Sequence, residues 1–211
     1  MTDFDLRLYL VTDRELTLGR PLEQIVEEAV KGGVTMVQLR EKECSSREFY
    51  EIALNLKQLL KPYHIPLIIN DRLDIALAAD ADGLHIGQSD LPWQVARSVL
   101  GKNKILGLSV ENNKQVQEAN LADVDYIGIS PAFSTLTKTN TQAPFGLEGI
   151  RKAATITRHR TVAIGGINIT NAQAVIEAGA NGIAVVSAIV SAENPMQAAQ
   201  QLKIQCEDLG M

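Results

Sequence analysis

The strongest constraint on this chain is the alternation of short β-rich runs with helical patterns along almost its whole length. Runs of branched and aromatic residues occur at "LRLYLVT" (6–12), "TMVQLR" (35–40), "PLIIN" (66–70) and "DGLHI" (82–86). They recur at "KILGLS" (104–109), "DYIGIS" (125–130), "TVAIG" (161–165) and "GIAVVS" (182–187). The intervening segments have helical periodicity. "PLEQIVEEAVKGG" puts Leu22, Ile25, Val26, Ala29 and Val30 on one face, with Pro21 in the first turn and glycines after the end. "SSREFYEIALNLKQLLKP" opens with Ser45 and Glu48 in capping-box spacing, then stacks Phe49, Ile52, Ala53 and Leu56. Thr170 and Gln173 repeat that spacing before "AQAVIEAG", and Asn194–Pro195 is expected to start the last helix as cap and first residue.

A weak internal repeat runs through these junctions. "EAVKGGVTMVQL", "LAADADGLHI", "ANLADVDYIGI" and "VIEAGANGIAVV" each join a helix end to an apolar strand through small and turn-forming residues. Eight β-α units most simply close as a (β/α)₈ barrel, with an open doubly wound sheet as the less favoured alternative. A length of 211 residues suits one such barrel, and an apolar share of 45% is ample for its core. One domain over 1–211 is therefore expected.

Charge narrows the function classes. A net charge of −5 argues against a general nucleic-acid or membrane-surface binder. The start "MTDFDLRLYL" carries acids where a signal peptide wants positive charge, and no run of 18 apolar residues occurs. Cys44 and Cys206 lack metal-site or CxxC spacing and read as reduced thiols, so a cytoplasmic protein is expected.

In a parallel barrel the chemistry belongs at the C-terminal ends of the strands. Those ends read Thr12-Asp13-Arg14; Gln38, Arg40 and Lys42; Asn70-Asp71-Arg72; His85, Gln88 and Asp90; Ser109; and later Gly165-Gly166 and Val186-Ser187. The strand starts carry no comparable set. Met36, Gln38 and Arg40 share one face of the second strand, and Val37 and Leu39 share the other. With the aliphatic face against the helices, Gln38 and Arg40 point into the barrel mouth. Arg40 there needs an anionic partner, either phosphate or a neighbouring carboxylate such as Glu41 or Asp71. Asp71 and Asp90 follow neighbouring strands, so they either share one Mg²⁺ or cap the helices beginning "RLDIAL" and "LPWQVA". "AIGGIN" and "AVVSAI" lie after strands seven and eight, where such barrels commonly hold a phosphate. The loop "PAFSTLTKTNTQAPFG" (131–146) offers alternating threonines around Lys138 and no apolar face. His85 reads as a hydrogen-bonded barrel residue rather than a base. His64 and His159 read as solvent-facing, and Trp93, near Val95 and Val99, as packing its helix.

"YLVTD" (9–13), "VQLREK" (37–42), "INDR" (69–72), "LHIGQSD" (84–90), "GLS" (107–109), "YIGISPAFSTLTKTNT" (126–141), "AIGGIN" (163–168) and "AVVSAI" (184–189) together resemble the thiamine phosphate synthase family through nearly the whole chain. The resemblance implies a (β/α)₈ barrel that joins 4-amino-5-hydroxymethyl-2-methylpyrimidine diphosphate to a thiazole phosphate, releasing pyrophosphate. It implies that Gln38, Arg40, Lys42, Asn70, Ser109 and Lys138 hold the pyrimidine diphosphate, with Arg40, Lys42, Ser109 and Lys138 also stabilising the leaving group. Asp71 and Asp90 would ligate Mg²⁺. Thr135, Thr137, Gly166, Val186 and Ser187 would hold the thiazole phosphate. Two positions depart from the family pattern: Ser130, where glycine is frequent, and Ser134, where proline often precedes the threonine. The rival readings are a thiazole tautomerase on the same barrel and a non-catalytic binder of phosphate ligands.

Overall fold

A computed structural model describes residues 4–134 and 143–207. Its elements, in chain order, are β1 (Leu8–Val11), α1 (Leu22–Lys31), β2 (Met36–Leu39), α2 (Ser46–Leu60), β3 (Leu67–Asn70), α3 (Leu73–Ala78), β4 (Gly83–Ile86), α4 (Trp93–Leu100) and β5 (Ile105–Val110). There follow α5 (Asn113–Ala119), β6 (Tyr126–Ile129), α6 (Gly146–Ile156), β7 (Arg160–Ile164), α7 (Ala172–Glu177), β8 (Gly182–Val185), α8 (Ser187–Val190) and α9 (Pro195–Glu207). Every strand pairs in parallel with its sequence neighbours, and β8 returns to β1, so the sheet is a closed (β/α)₈ barrel rather than an open one. Among the described residues no helix is long and apolar enough to cross a membrane.

Strand parity divides the apolar side chains into two sets. Leu8 and Leu10 of β1, Val37 and Leu39 of β2, and Leu67 and Ile69 of β3 face outward, where the helices cover them. Tyr9, Val11, Met36, Ile68, Ile105, Tyr126, Val162 and Ala184 face inward and fill the barrel. The apolar face expected of α1 is buried in full, from Leu22 to Val30. Trp93 packs against the outer core as expected, but Val95 and Val99 are exposed; Ala96 and Leu100 bury α4 instead.

The internal repeat has a structural cause at the N-terminal end of the barrel. Thr35, Asp82, Asp125 and Asn181 each directly precede an even-numbered strand. Each donates its backbone N–H to a carbonyl on the preceding odd strand: Thr35 to Leu8, Asp82 to Leu67, Asp125 to Leu106 and Asn181 to Thr161, at 2.8–3.0 Å. The side-chain oxygen of each then accepts the N–H of that same partner residue, at 3.1, 2.9, 2.8 and 2.8 Å. A short polar side chain at this position thus clamps the two strands of each β-α-β unit. The small apolar residue before it, Val34, Ala81, Val124 or Ala180, is buried each time. The Asp125 clamp carries a further load. Arg97 Nη2 donates to Asp125 Oδ2 at 2.6 Å, and the same guanidinium donates to the carbonyls of Asp123, Gly101 and Lys104 at 2.9 Å.

Two of the expected helix starts carry their side-chain caps, though the Glu48 carboxylate of the first pairs with Arg14. Ser45 Oγ accepts from Glu48 N at 3.2 Å, and Asn194 Oδ1 accepts from Gln197 N at 2.9 Å. The Thr170–Gln173 box does not form. The Thr170 hydroxyl donates to Asn168 Oδ1, and α7 begins one residue later behind Asn171, whose amide oxygen takes the Asn168 N–H. His159 is half-buried rather than solvent-facing, because its ring Nε2 donates to the Ala119 carbonyl at 2.8 Å; burial lowers its pKa.

The clamps differ in what hangs on them, so their loss should differ too. Asp82→Ala orphans one strand N–H and should lower unfolding free energy by about 1–2 kcal/mol. Asp125→Ala also strips a buried guanidinium of its carboxylate partner at 2.6 Å and should cost about 3 kcal/mol or more. Urea unfolding of the two variants beside the parent compares them directly; equal losses would show that Arg97 draws nothing from Asp125.

Candidate active site

The C-terminal mouth of the barrel opens into a cavity of about 550 Å³. All ten candidate residues that fall among the described residues line it: Gln38, Arg40, Lys42, Asn70, Asp71, Asp90, Ser109, Gly166, Val186 and Ser187. They come from strands β2, β3 and β5, from the loops after β2, β3, β4, β7 and β8, and from the first residue of α8, which only a closed barrel brings together. Thr135, Thr137 and Lys138 lie outside the described residues.

Arg40 has neither of the carboxylate partners weighed for it. Its Nη1 is 3.0 Å from Asp13 Oδ2, on the loop after β1. Glu41 is taken by Arg14, whose Nε lies 2.7 Å from Glu41 Oε2 and whose Nη1 reaches Glu48 at 2.6 Å. Asp71 is taken by Lys42, with Nζ 2.7 Å from Oδ2. Arg40 and Lys42 are thus each held by one carboxylate from an adjacent loop and keep further N–H donors for a ligand.

Neither aspartate caps a helix. α3 starts behind Arg72 and α4 behind Pro92, and neither start has a side-chain cap. Asp71 instead sits in the left-handed region at φ 63°, held there as its N–H donates to the His85 carbonyl at 2.8 Å. Asp is among the few non-glycine residues that tolerate this conformation. Asp90 closes a tight turn on itself, with Oδ2 accepting from Gly87 N at 2.6 Å. The two carboxyl groups meet at the mouth from the adjacent loops after β3 and β4, and hydrogen bonding between them is one cause of the shift in each. Burial alone would raise Asp71, but the Lys42 ammonium and the bond to Asp90 outweigh it and hold its carboxyl below the ordinary range. Burial pushes Asp90 up against the Gly87 N–H, and the neighbouring Asp71 charge adds to the rise. Two facing carboxylates crowded enough to split their pKa values have the chemistry of a hard-cation site with all-oxygen donors. Among the described residues no set of three His, Cys, Asp or Glu side chains gathers as for a zinc or iron site.

The opposite wall is built from backbone. Gly165 and Gly166 have φ of 107° and 65°, and a Cβ at Gly166 would come within 2.7 Å of the Ser134 carbonyl and 2.9 Å of Phe133 Cβ. Glycine is required there by both conformation and close approach. Their carbonyls are occupied, by the Phe133 N–H at 3.0 Å and by Asn171 Nδ2 at 3.0 Å. Val186 and Ser187 open α8, whose first N–H groups have no partner within the helix. At the other end of α8, Arg20 caps the carbonyls of Val190 and Ala192 at 2.7 and 2.8 Å. This wall suits phosphate oxygens, which seek clustered N–H donors.

Reading by residue type misses three participants. Asp13 was placed at the first strand end but not paired with Arg40; the two loops are adjacent only because β1 and β2 are paired. Tyr9 and Tyr126 fall within strand runs with nothing to mark them, yet their hydroxyls lie 3.0 Å apart inside the barrel. Parity alone indicates that Tyr9, two residues before Val11, faces inward.

Similar proteins agree on one family. The family described as thiamine monophosphate synthase matches residues 8–189. The chain is 52% identical over 202 residues to the thiamine-phosphate synthase of Leptospira biflexa serovar Patoc, covering 94% of this chain and 96% of that one. It is 53% identical over 196 residues to the thiamine-phosphate synthase of Vibrio parahaemolyticus serotype O3:K6, covering 93% and 96%. The solved structure of thiamine phosphate pyrophosphorylase from Pyrococcus furiosus superposes with a TM-score of 0.90 at 40% identity, covering 97% of this chain and 98% of that one. Likeness of this extent, carried by both sequence and barrel geometry, makes the chain a member of the thiamine monophosphate synthase family.

Proposed function

We propose that this transferase condenses 4-amino-5-hydroxymethyl-2-methylpyrimidine diphosphate with hydroxyethylthiazole phosphate, or its carboxylated form, to give thiamine monophosphate and pyrophosphate. The carrying observation is the pair Asp71 and Asp90, facing each other beside Lys42 at the mouth of a family barrel. A tautomerase needs no diphosphate clamp, and a mere binder needs no cation site next to two free-handed cationic side chains.

The chemistry asked of the protein is modest. The exocyclic carbon–oxygen bond of the pyrimidine ionises, with the electron pair leaving on pyrophosphate. The aminopyrimidine ring delocalises the cation until the thiazole nitrogen forms the new carbon–nitrogen bond. No strong base is needed. Arg40, Lys42, Ser109 and Lys138 supply donors to the departing diphosphate, where charge grows in the transition state. Gln38 and Asn70, both buried, offer amides to the pyrimidine half. Gly166, Val186 and Ser187, with Thr135 and Thr137, hold the thiazole phosphate on the opposite wall and so set the nitrogen against the reacting carbon. Asp71 and Asp90 would hold Mg²⁺, which when bound neutralises diphosphate charge. The expected setting is the cytoplasm, with one catalytic domain over 1–211.

Incubation with both substrates should yield thiamine monophosphate and pyrophosphate in equal amounts; tautomerised thiazole alone, or stoichiometric binding without turnover, would overturn the reading. Chelation of divalent cations should abolish turnover and Mg²⁺ should restore it. Asp71→Asn and Asp90→Asn should each raise the Mg²⁺ concentration for half-maximal rate about tenfold or more. Lys138→Ala should lower kcat about 10²–10³-fold while leaving the thermal unfolding midpoint in place; a variant with parental turnover would remove Lys138 from the leaving-group site.

A further inference from the structure

A continuous chain of side-chain hydrogen bonds crosses the barrel at the cavity floor. Gln38 Nε2 donates to Tyr9 Oη at 2.8 Å, and Tyr9 Oη lies 3.0 Å from Tyr126 Oη. Tyr126 Oη lies 2.9 Å from His85 Nδ1, and His85 Nε2 lies 2.8 Å from Ser109 Oγ. The chain begins on the amide of one wall and ends on the hydroxyl of the other, and its two tyrosines are fully buried.

The first donor sets the direction of every later bond. An amide N–H₂ only donates, so Tyr9 accepts from Gln38 and its single proton goes to its other partner, Tyr126. Tyr126 then has one proton left to place, on His85 Nδ1. Burial pushes the pKa of both phenols up, so neither gives up its proton. With Nδ1 accepting, the neutral imidazole carries its hydrogen on Nε2 and donates to Ser109 Oγ. The Ser109 hydroxyl, accepting from His85, then has its own proton free to point into the cavity. A chain of opposite polarity would turn that proton into His85 and present serine lone pairs to an anion.

The barrel makes specific room for this chain. A Cβ at Gly107 would overlap the Tyr126 phenol and the His85 ring, and one at Gly128 would press on His85 Cε1 at 3.2 Å. Both glycines sit on inward-facing positions of β5 and β6, next to Ser109.

We infer that Tyr9, Tyr126 and His85 are positioning residues that fix the Ser109 hydroxyl as a donor to the diphosphate leaving group. The inference rests on the pyrimidine diphosphate reading above. Tyr126 acts through His85 and touches no substrate, so its contribution is to the orientation of the serine proton. The effect belongs in kcat, since that proton meets most charge as the diphosphate departs.

The test is ¹⁵N NMR of histidine-labelled protein without substrate at about pH 8, above the ordinary histidine range, with the His85 signals identified by their loss in His85→Asn. The expected parent spectrum has hydrogen on Nε2 and a bare Nδ1. In Tyr126→Phe the ring still fills its space, but the tautomer preference should relax, with kcat falling about 10–100-fold and KM for the pyrimidine diphosphate changing less than about threefold. Hydrogen on Nδ1 in the parent would overturn the inference whether or not the variant folds. So would a Tyr126→Phe protein with parental spectrum and parental kcat. Absence of pyrophosphate release from the parent itself would instead sink the functional reading, and the spectrum would be unaffected.

Discussion

Closing eight parallel strands on themselves forces every second side chain into a confined interior, and this constraint governs both the stability and the chemistry of the protein. One interior must serve as core and as site. The chain resolves the conflict by depth: Met36, Ile68 and Ile105 fill the lower levels, and Gln38, Asn70 and Ser109 occupy the inward positions two or four residues later on the same strands, with His85 beside them on β4. Because parity is 2, a slip of one residue would exchange leucines for amides along a whole strand. Register is therefore a functional matter here as much as a structural one.

The N-terminal clamps and the C-terminal mouth divide that labour. At the lower rim, polar side chains are spent on strand N–H groups, and Arg97 is engaged by three carbonyls and Asp125. At the upper rim, the cations keep unused donors and two carboxyl groups crowd together so that their pKa values move apart. Asp71 at positive φ and Asp90 with its raised pKa are unfavourable features that a stability-driven surface would not retain. Their cost is offset by the apolar contacts beneath.

Much of this was legible in the chain because it follows from local periodicity. The strands, the buried face of α1 and the inward direction of Gln38 all follow from spacings of 2 and 3.6 residues. The clustering of Asp71 with Asp90 needed only the order of neighbouring strands. What local spacing does not encode depends on distance across the barrel or on competition among equals. Tyr9 and Tyr126 meet because β1 and β6 face one another through the interior, which no local pattern encodes. Arg40 had three carboxylates within plausible reach, and the choice of Asp13 was decided by Arg14 and Lys42 claiming the others. The Thr170 box failed because Asn171, one residue on, competes for the same turn and also ties back to the Gly166 carbonyl.

The four clamps bear on how such a ring can come together. Each joins residues only 27, 15, 19 and 20 positions apart, and closing the longest of these loops costs about 0.5 kcal/mol more than the shortest. Four near-equivalent quarter-turns can each find their own alignment before any of them meets a neighbour. Only the seam between the last strand and the first must wait for the whole chain, and by then seven-eighths of the circle already dictates where it closes.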